Sequence, residues 1–146
     1  MGWFFGFKLH AVINHLGDII DVSITSGDTH DTKPVTSFGR KLFGLLVGDK
    51  GYLSTSLRET MLNDYDVRLI TKVRRNMTEL PLSDVERSML QKRSLVETVF
   101  GKLKQSTCLD HTRHRSVRNF MVNIFSALSS YNVLESKPSL RNLMVA

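Results

Sequence analysis

The chain has 146 residues, 41% hydrophobic and 23% charged, which suits one folded domain with a single core. No run of 18 apolar residues occurs, so nothing in the sequence reads as a membrane span, and the single cysteine, Cys108, excludes an internal disulfide framework and a paired-cysteine metal site and fits a reducing cytosol. A formal net charge of +6 and a pI near 9.7 favour a polyanionic partner, most simply nucleic acid.

In chain order, FGFKLHAVIN alternates, with Phe5, Phe7, Leu9, Ala11 and Ile13 on one face and Gly6, Lys8, His10 and Val12 on the other. After a turn at Asn14–Gly17, DIIDVSIT alternates again through Ile20, Val22 and Ile24. The two runs predict a β-hairpin. SGDTHDTKP is a loop that leads into a short helix. Leu45, Leu46 and Val47 form an unbroken apolar run, as expected of a strand buried on both faces. It ends in Gly48-Asp49-Lys50-Gly51, so Asp49 sits where open α/β sheets place ligands. Ser56 and Glu59 have capping-box spacing and open a helix, and VRLITKV is a further strand. Ser83 and Glu86 repeat the capping box at the head of a long helix reaching about Gln105. The final helix shows an apolar stripe through Val117, Phe120, Met121, Ile124, Phe125 and Leu128. After Leu134 little pattern remains, and a mobile tail is expected. The order is β-β-α-β-α-β-α-α, a mixed sheet with helices packed on it, in a domain over residues 1–135 with a tail over 136–146.

On a helical wheel at about 100° per residue, Arg93 lies about 40° and Lys104 about 20° from Glu97, so the long helix presents all three on one face. Leu95, Val96, Val99 and Leu103 take the opposite side. The plain structural reading is a surface ion pair between Arg93 and Glu97. With a strand-end Asp49 the pattern suits metal-assisted phosphoryl chemistry. Carboxylates hold hard cations, and adjacent Arg and Lys neutralise phosphate. Basic clusters support a polyanion partner: Lys72, Arg74 and Arg75; then Lys102 and Lys104; then Arg113, His114, Arg115 and Arg118. A solvated basic face is the simpler alternative for any one of them.

Arg93-x3-Glu97-x6-Lys104 resembles the last three positions of the Y-(2)-R-(3)-E-(6)-K signature of bacterial insertion-sequence transposases of the DDE superfamily. Leu90 stands where that signature has tyrosine. GFKLH, ITSGDTHDTKP, LVGDKGY, LITKVRRNM, RSLVETVFGKLK and HTRHRS are similar, in order and spacing, to the insertion-sequence-982 group. The resemblance runs from Gly2 to about Lys137. It implies an RNase H-like α/β fold, a mixed sheet flanked by helices. It also implies DNA strand cleavage and strand transfer at insertion-sequence ends with two Mg²⁺ (or Mn²⁺) ions. Asp49 and Glu97 then match catalytic, metal-binding carboxylates. Arg93 and Lys104 match DNA contacts, with Lys72, Arg74, Arg75, Arg113, His114 and Arg115 as further DNA-binding candidates. The implied partners are insertion-sequence ends and target DNA, with full-length transposase or a second copy of the chain as a protein partner. No membrane is involved, and the location is the cytoplasm, at the nucleoid.

The resemblance also implies a third carboxylate, on a first strand ahead of the hairpin. Asp18, Asp21, Asp28 and Asp31 all follow the first predicted strand and read as turn, strand-face, loop and cap residues. The expectation is therefore the C-terminal part of a catalytic domain that lacks its first strand and is inactive alone. The alternative is a catalytically dead remnant that binds DNA or a transposase. His10, His30, His111 and His114 stand at no zinc-ligand spacing, and phosphate contact suits His114 better than a metal.

Overall fold

The computed structural model describes residues 6–73, 81–107, 109 and 113–140. Its elements are β1 (Phe7–Ile13), β2 (Ile19–Ser26), α1 (Val35–Gly39), β3 (Gly44–Gly48), α2 (Thr55–Tyr65), β4 (Val67–Thr71), α3 (Asp84–Gln91), α4 (Leu95–Thr107) and α5 (Val117–Asn132). The fold is mixed α/β, with two small sheets, an antiparallel β1–β2 and a parallel β3–β4. The chain forms two compact units. The first is the chain up to Val12 with Asp21–Arg93, and the second is Ile13–Ile20 with the chain from Ser94.

The first unit is built on a β-α-β crossover. Parallel strands cannot be joined by a tight turn, so α2 carries the chain back between β3 and β4. The register pairs Gly44 with Val67, Leu46 with Leu69 and Gly48 with Thr71. Val35, Leu57, Met61, Val67 and Leu69 form the core, with Leu42, Leu46, Tyr52 and Tyr65 packed on it. The Leu45–Val47 run is only half-buried, not buried on both faces. Among the described strands it has one neighbour, so its outer side gains no cover. β4 instead carries the buried strand residues Val67, Leu69, Ile70 and Thr71.

Local signals resolve unevenly. The Ser83–Glu86 capping box forms with both of its hydrogen bonds. The cap of α2 is Ser54, whose hydroxyl accepts from the Leu57 amide, and not Ser56. In the hairpin the deeply buried side chains are His10, Val12 and Ile19, while Phe7 and Ile20 are exposed. The apolar face read from the alternation is thus the less buried one. His10 goes inside because both ring nitrogens find partners there.

The predicted long helix is broken. α3 ends at Gln91, Lys92–Ser94 form a 3-10 turn, and α4 begins at Leu95. Arg93 therefore lies on that turn and not on the helix that carries Glu97. No glycine or proline marks the break. A 3-10 turn winds at three residues per turn, so a wheel drawn through it loses phase.

In the second unit α4 and α5 pack together, burying Val99 and Leu103 from α4 and Ile124, Ala127, Leu128 and Tyr131 from α5. The predicted α5 stripe holds at buried Ile124 and Leu128 and half-buried Phe120 and Met121, but Val117 is 58% and Phe125 52% exposed, and Ala127 and Tyr131 join the buried side. The tail is not loose as far as Leu140. The C-terminal end of α5 and the segment after it hold the tip of the hairpin. The Tyr131 hydroxyl donates to the Gly17 carbonyl at 3.0 Å. The Asn132 amide accepts from Ile19 N–H at 3.1 Å and donates to its carbonyl at 2.9 Å, as a paired strand would. Lys137 meets Asp18 at 2.6 Å, the Leu140 amide donates to His15 at 2.8 Å, and Leu140 is 7% exposed.

Gly17 has φ +83°, and a Cβ there would lie 1.9 Å from the Pro138 carbonyl oxygen. Both the left-handed backbone and the close approach require glycine. Gly17→Ala is expected to lower stability by roughly 2–3 kcal/mol, measured by urea denaturation. An unchanged midpoint would refute the packing of residues 137–140 on the hairpin tip.

Candidate functional site

In the first unit Asp49 follows the last residue of β3 and precedes a 3-10 turn over Lys50–Tyr52. Its backbone is extended, and its carbonyl accepts from the Tyr52 amide at 3.0 Å. The turn throws the carboxylate outward, leaving the side chain 61% exposed. Arg93 Nη1 donates to Asp49 Oδ1 at 2.7 Å, from a side chain only 27% exposed. The broken helix gives this contact its geometry, since the cation is delivered from the 3-10 turn. Two residues of the sequence pattern, 44 positions apart, are thus in direct contact.

The Gly27–Pro34 loop comes to the same turn. A Cβ at Gly51 would meet Asp31 Oδ2 at 3.0 Å, and Asp31 is paired with Lys8 at 3.0 Å. Asp31 and Asp49 both raise the pKa of Tyr52, after burial as the largest cause. Sequence reading treats Asp31 as a loop or cap residue, and its nearness to the Asp49 turn has no local signature. The other early acids are also engaged: Asp18 with Lys137, Asp21 with Lys41, and Asp28 with Ser26.

Behind the turn, His10 is buried, with Nδ1 3.2 Å from the Tyr52 hydroxyl and Nε2 3.0 Å from Thr25 Oγ1. A neutral imidazole serves both contacts, one nitrogen donating and the other accepting. Burial pushes His10 below its ordinary range, with Asp31 opposing and Lys8 assisting. His30 contacts Thr32 on the exposed loop.

In the second unit Glu97 lies in the first turn of α4 and Lys104 in the last. Both are exposed, on the side opposite buried Val99 and Leu103. An acid at the helix start and a base at its end complement the helix dipole. Arg113, His114, Arg115 and Arg118 are all exposed, at or just before the start of α5. Lys72 is exposed after β4. Arg74, Arg75, Cys108 and His111 lie outside the described residues. Among the described residues no group of three or more His, Cys, Asp or Glu side chains is gathered to hold a metal. None of the described helices is long and apolar enough to cross a membrane.

The chain belongs to the family of transposase DDE domains, whose profile matches residues 1–117. Neither a curated protein nor a solved structure matches it. The family takes DNA as its substrate, and DDE domains generally use divalent metal ions.

Two measurements probe this region. Arg93→Met is expected to cost about 0.5 kcal/mol, as for other partly exposed ion pairs. A double-mutant cycle with Asp49→Asn should return a coupling of that size, and a zero coupling would remove the contact. His10 binds its proton less readily folded than unfolded. Its contribution is therefore present above the unfolded value of about 6.5 and is lost as pH falls from there through the folded value. Denaturation midpoints should drop between pH 7.5 and 5.5, and His10→Gln should flatten that drop. Equal pH slopes for both proteins would contradict it.

Proposed function

We propose that the chain is an insertion-sequence transposase domain of the insertion-sequence-982 type with an RNase H-like fold. In this reading Asp49 and Glu97 are two carboxylates of a metal-dependent strand-cleavage and strand-transfer site. The observation that carries it is the Arg93–Asp49 contact. It joins the strand-end acid of LVGDKGY to the arginine of the Arg93-Glu97-Lys104 pattern, two motifs far apart in sequence. The β1–β2 hairpin and the parallel β-α-β unit after it are the local pieces such a fold requires.

The donor atoms suit the chemistry. Asp49 and Glu97 are exposed carboxylates, and carboxylate oxygens are the ligands that Mg²⁺ and Mn²⁺ prefer. A divalent cation held there supplies charge neutralisation at the reacting phosphate and activation of the attacking oxygen. Arg93 places a cation beside Asp49, where a strand's phosphate would otherwise be repelled by the carboxylate. Lys104, Lys72 and the Arg113–His114–Arg115 group supply further positive charge for the DNA backbone. Arg74 and Arg75 join Lys72 in this role by sequence position.

The reading assigns two of the three carboxylates of a DDE site and gives the third to no residue of the chain. The chain alone is then expected to bind DNA without cutting it. The related reading is a DNA-binding or transposase-binding protein without catalysis.

A labelled insertion-sequence end, incubated with the purified chain and Mn²⁺, tests both. Binding should weaken steeply as salt rises, with no cleavage. Mn²⁺ affinity by calorimetry should fall about tenfold in Glu97→Gln. Cleavage lost in Glu97→Gln would restore the enzymatic reading in full. Mn²⁺ affinity unmoved by both Glu97→Gln and Asp49→Asn would remove the assigned carboxylates.

A further inference from the structure

At the carboxyl ends of β3 and β4, within the first unit, lies a cavity of about 510 Å³. Its wall carries Lys50 from the turn after β3, Arg58 from α2, Lys72 from the end of β4, and Arg87 from α3. Among the described residues no Asp or Glu lines it. Four formal positive charges therefore face one volume, with no acid among its described lining residues. Among the described residues no ion pair engages any of the four.

Arg58 is the informative member. One guanidinium nitrogen, Nη2, donates to Thr71 Oγ1 at 2.7 Å, and Thr71 is itself buried. Its Nε is buried with no hydrogen-bond partner among the described residues, and no other described side-chain atom is left so. An unsatisfied buried N–H on a charged group is costly. A cation beside a cavity, oriented by one hydrogen bond and short of one acceptor, is arranged for an anion that brings the acceptor. The volume lies in the range of ligand sites, and Leu90 adds an apolar wall of the kind a sugar can lie against.

We infer that this cavity is a phosphate-binding subsite, with Arg58, Lys50, Lys72 and Arg87 as its cations, and that it takes a phosphodiester of a DNA strand passing the β3–β4 edge. The source of the phosphate rests on the reading of the chain as a DNA-handling transposase domain. The anion site itself does not. Lys72 already stood among the DNA-binding candidates. Lys50, Arg58 and Arg87 carry no motif, because they come from three elements that only the fold assembles.

The test uses the intact chain and inorganic phosphate as the probe. Calorimetry should detect phosphate binding that weakens about tenfold in Arg58→Lys, which keeps the charge and removes the guanidinium. Arg87→Gln and Lys72→Gln alter exposed positions, so they test the site even where the Arg58 variant folds poorly, and each should weaken phosphate several-fold. In parallel, anisotropy of a labelled 20-nucleotide strand should show a salt slope reduced by about 1 in each glutamine variant. Phosphate binding that is absent, or equal in all the variants, overturns the subsite. Phosphate and dTMP binding weakened by the variants, with DNA affinity and slope unchanged, overturns DNA as the source and leaves a free phosphorylated ligand. None of these measurements depends on Glu97 or on cleavage, so a failed metal site and a failed phosphate site give different results.

Discussion

Parallel pairing of β3 with β4 is the constraint on which the first unit depends. Two parallel strands end on the same side, and the Gly48–Thr71 register sets those ends level. Whatever follows each strand is then held at one edge: Asp49 and Lys50 from one, Lys72 from the other. α2 closes the crossover and brings Arg58 onto Thr71. α3 packs against both strands and leads into the turn that presents Arg93. The exposed carboxylate and the cationic cavity are therefore two products of the same strand pairing.

Charge and polar accounting divide the labour at this edge. Asp49 stays exposed and has a cation against it, an arrangement of modest energy that another charged group can disturb. His10 makes the opposite kind of contact, buried and hydrogen-bonded to half-buried Thr25 and Tyr52. That group ties the hairpin to the turn after β3, so a rigid base lies beneath a solvent-facing acid. Sites built on such supported turns hold their groups more closely than free loops do.

The second unit solves a different problem, the end of a hairpin. Strand ends leave backbone N–H and C=O groups without a ladder partner. Asn132 supplies both complements to Ile19 with one side-chain amide, and Tyr131 takes the Gly17 carbonyl while filling the core. Contacts 113 and 114 residues apart thus make the chain's C-terminal helix part of the hairpin's stability. Glu97 and Lys104 ride on the outer side of α4, whose inner side is packed on α5.

The sequence by itself determined the element order, the strand-end position of Asp49, the Ser83–Glu86 cap and the family, because each depends on residues close in the chain or on ordered motifs. It could not show the break at Lys92–Ser94, since no glycine or proline announces it and Arg93 meets Asp49, 44 positions away, through the fold. Nor could it show which hairpin face is buried. Alternation defines two faces, but the hydrogen bonds waiting for His10 chose between them, against Phe7. The α5 stripe was legible at Phe120, Met121, Ile124 and Leu128, but Val117 and Phe125 stay exposed while Tyr131 and Ala127 win burial by what they meet. The tail looked patternless because Lys137 and Leu140 dock singly onto a turn far back in the chain. Arg58, Lys50, Lys72 and Arg87 come from separate elements, so only tertiary structure gathers their charges around one cavity and leaves the buried Arg58 Nε–H without an acceptor among the described residues.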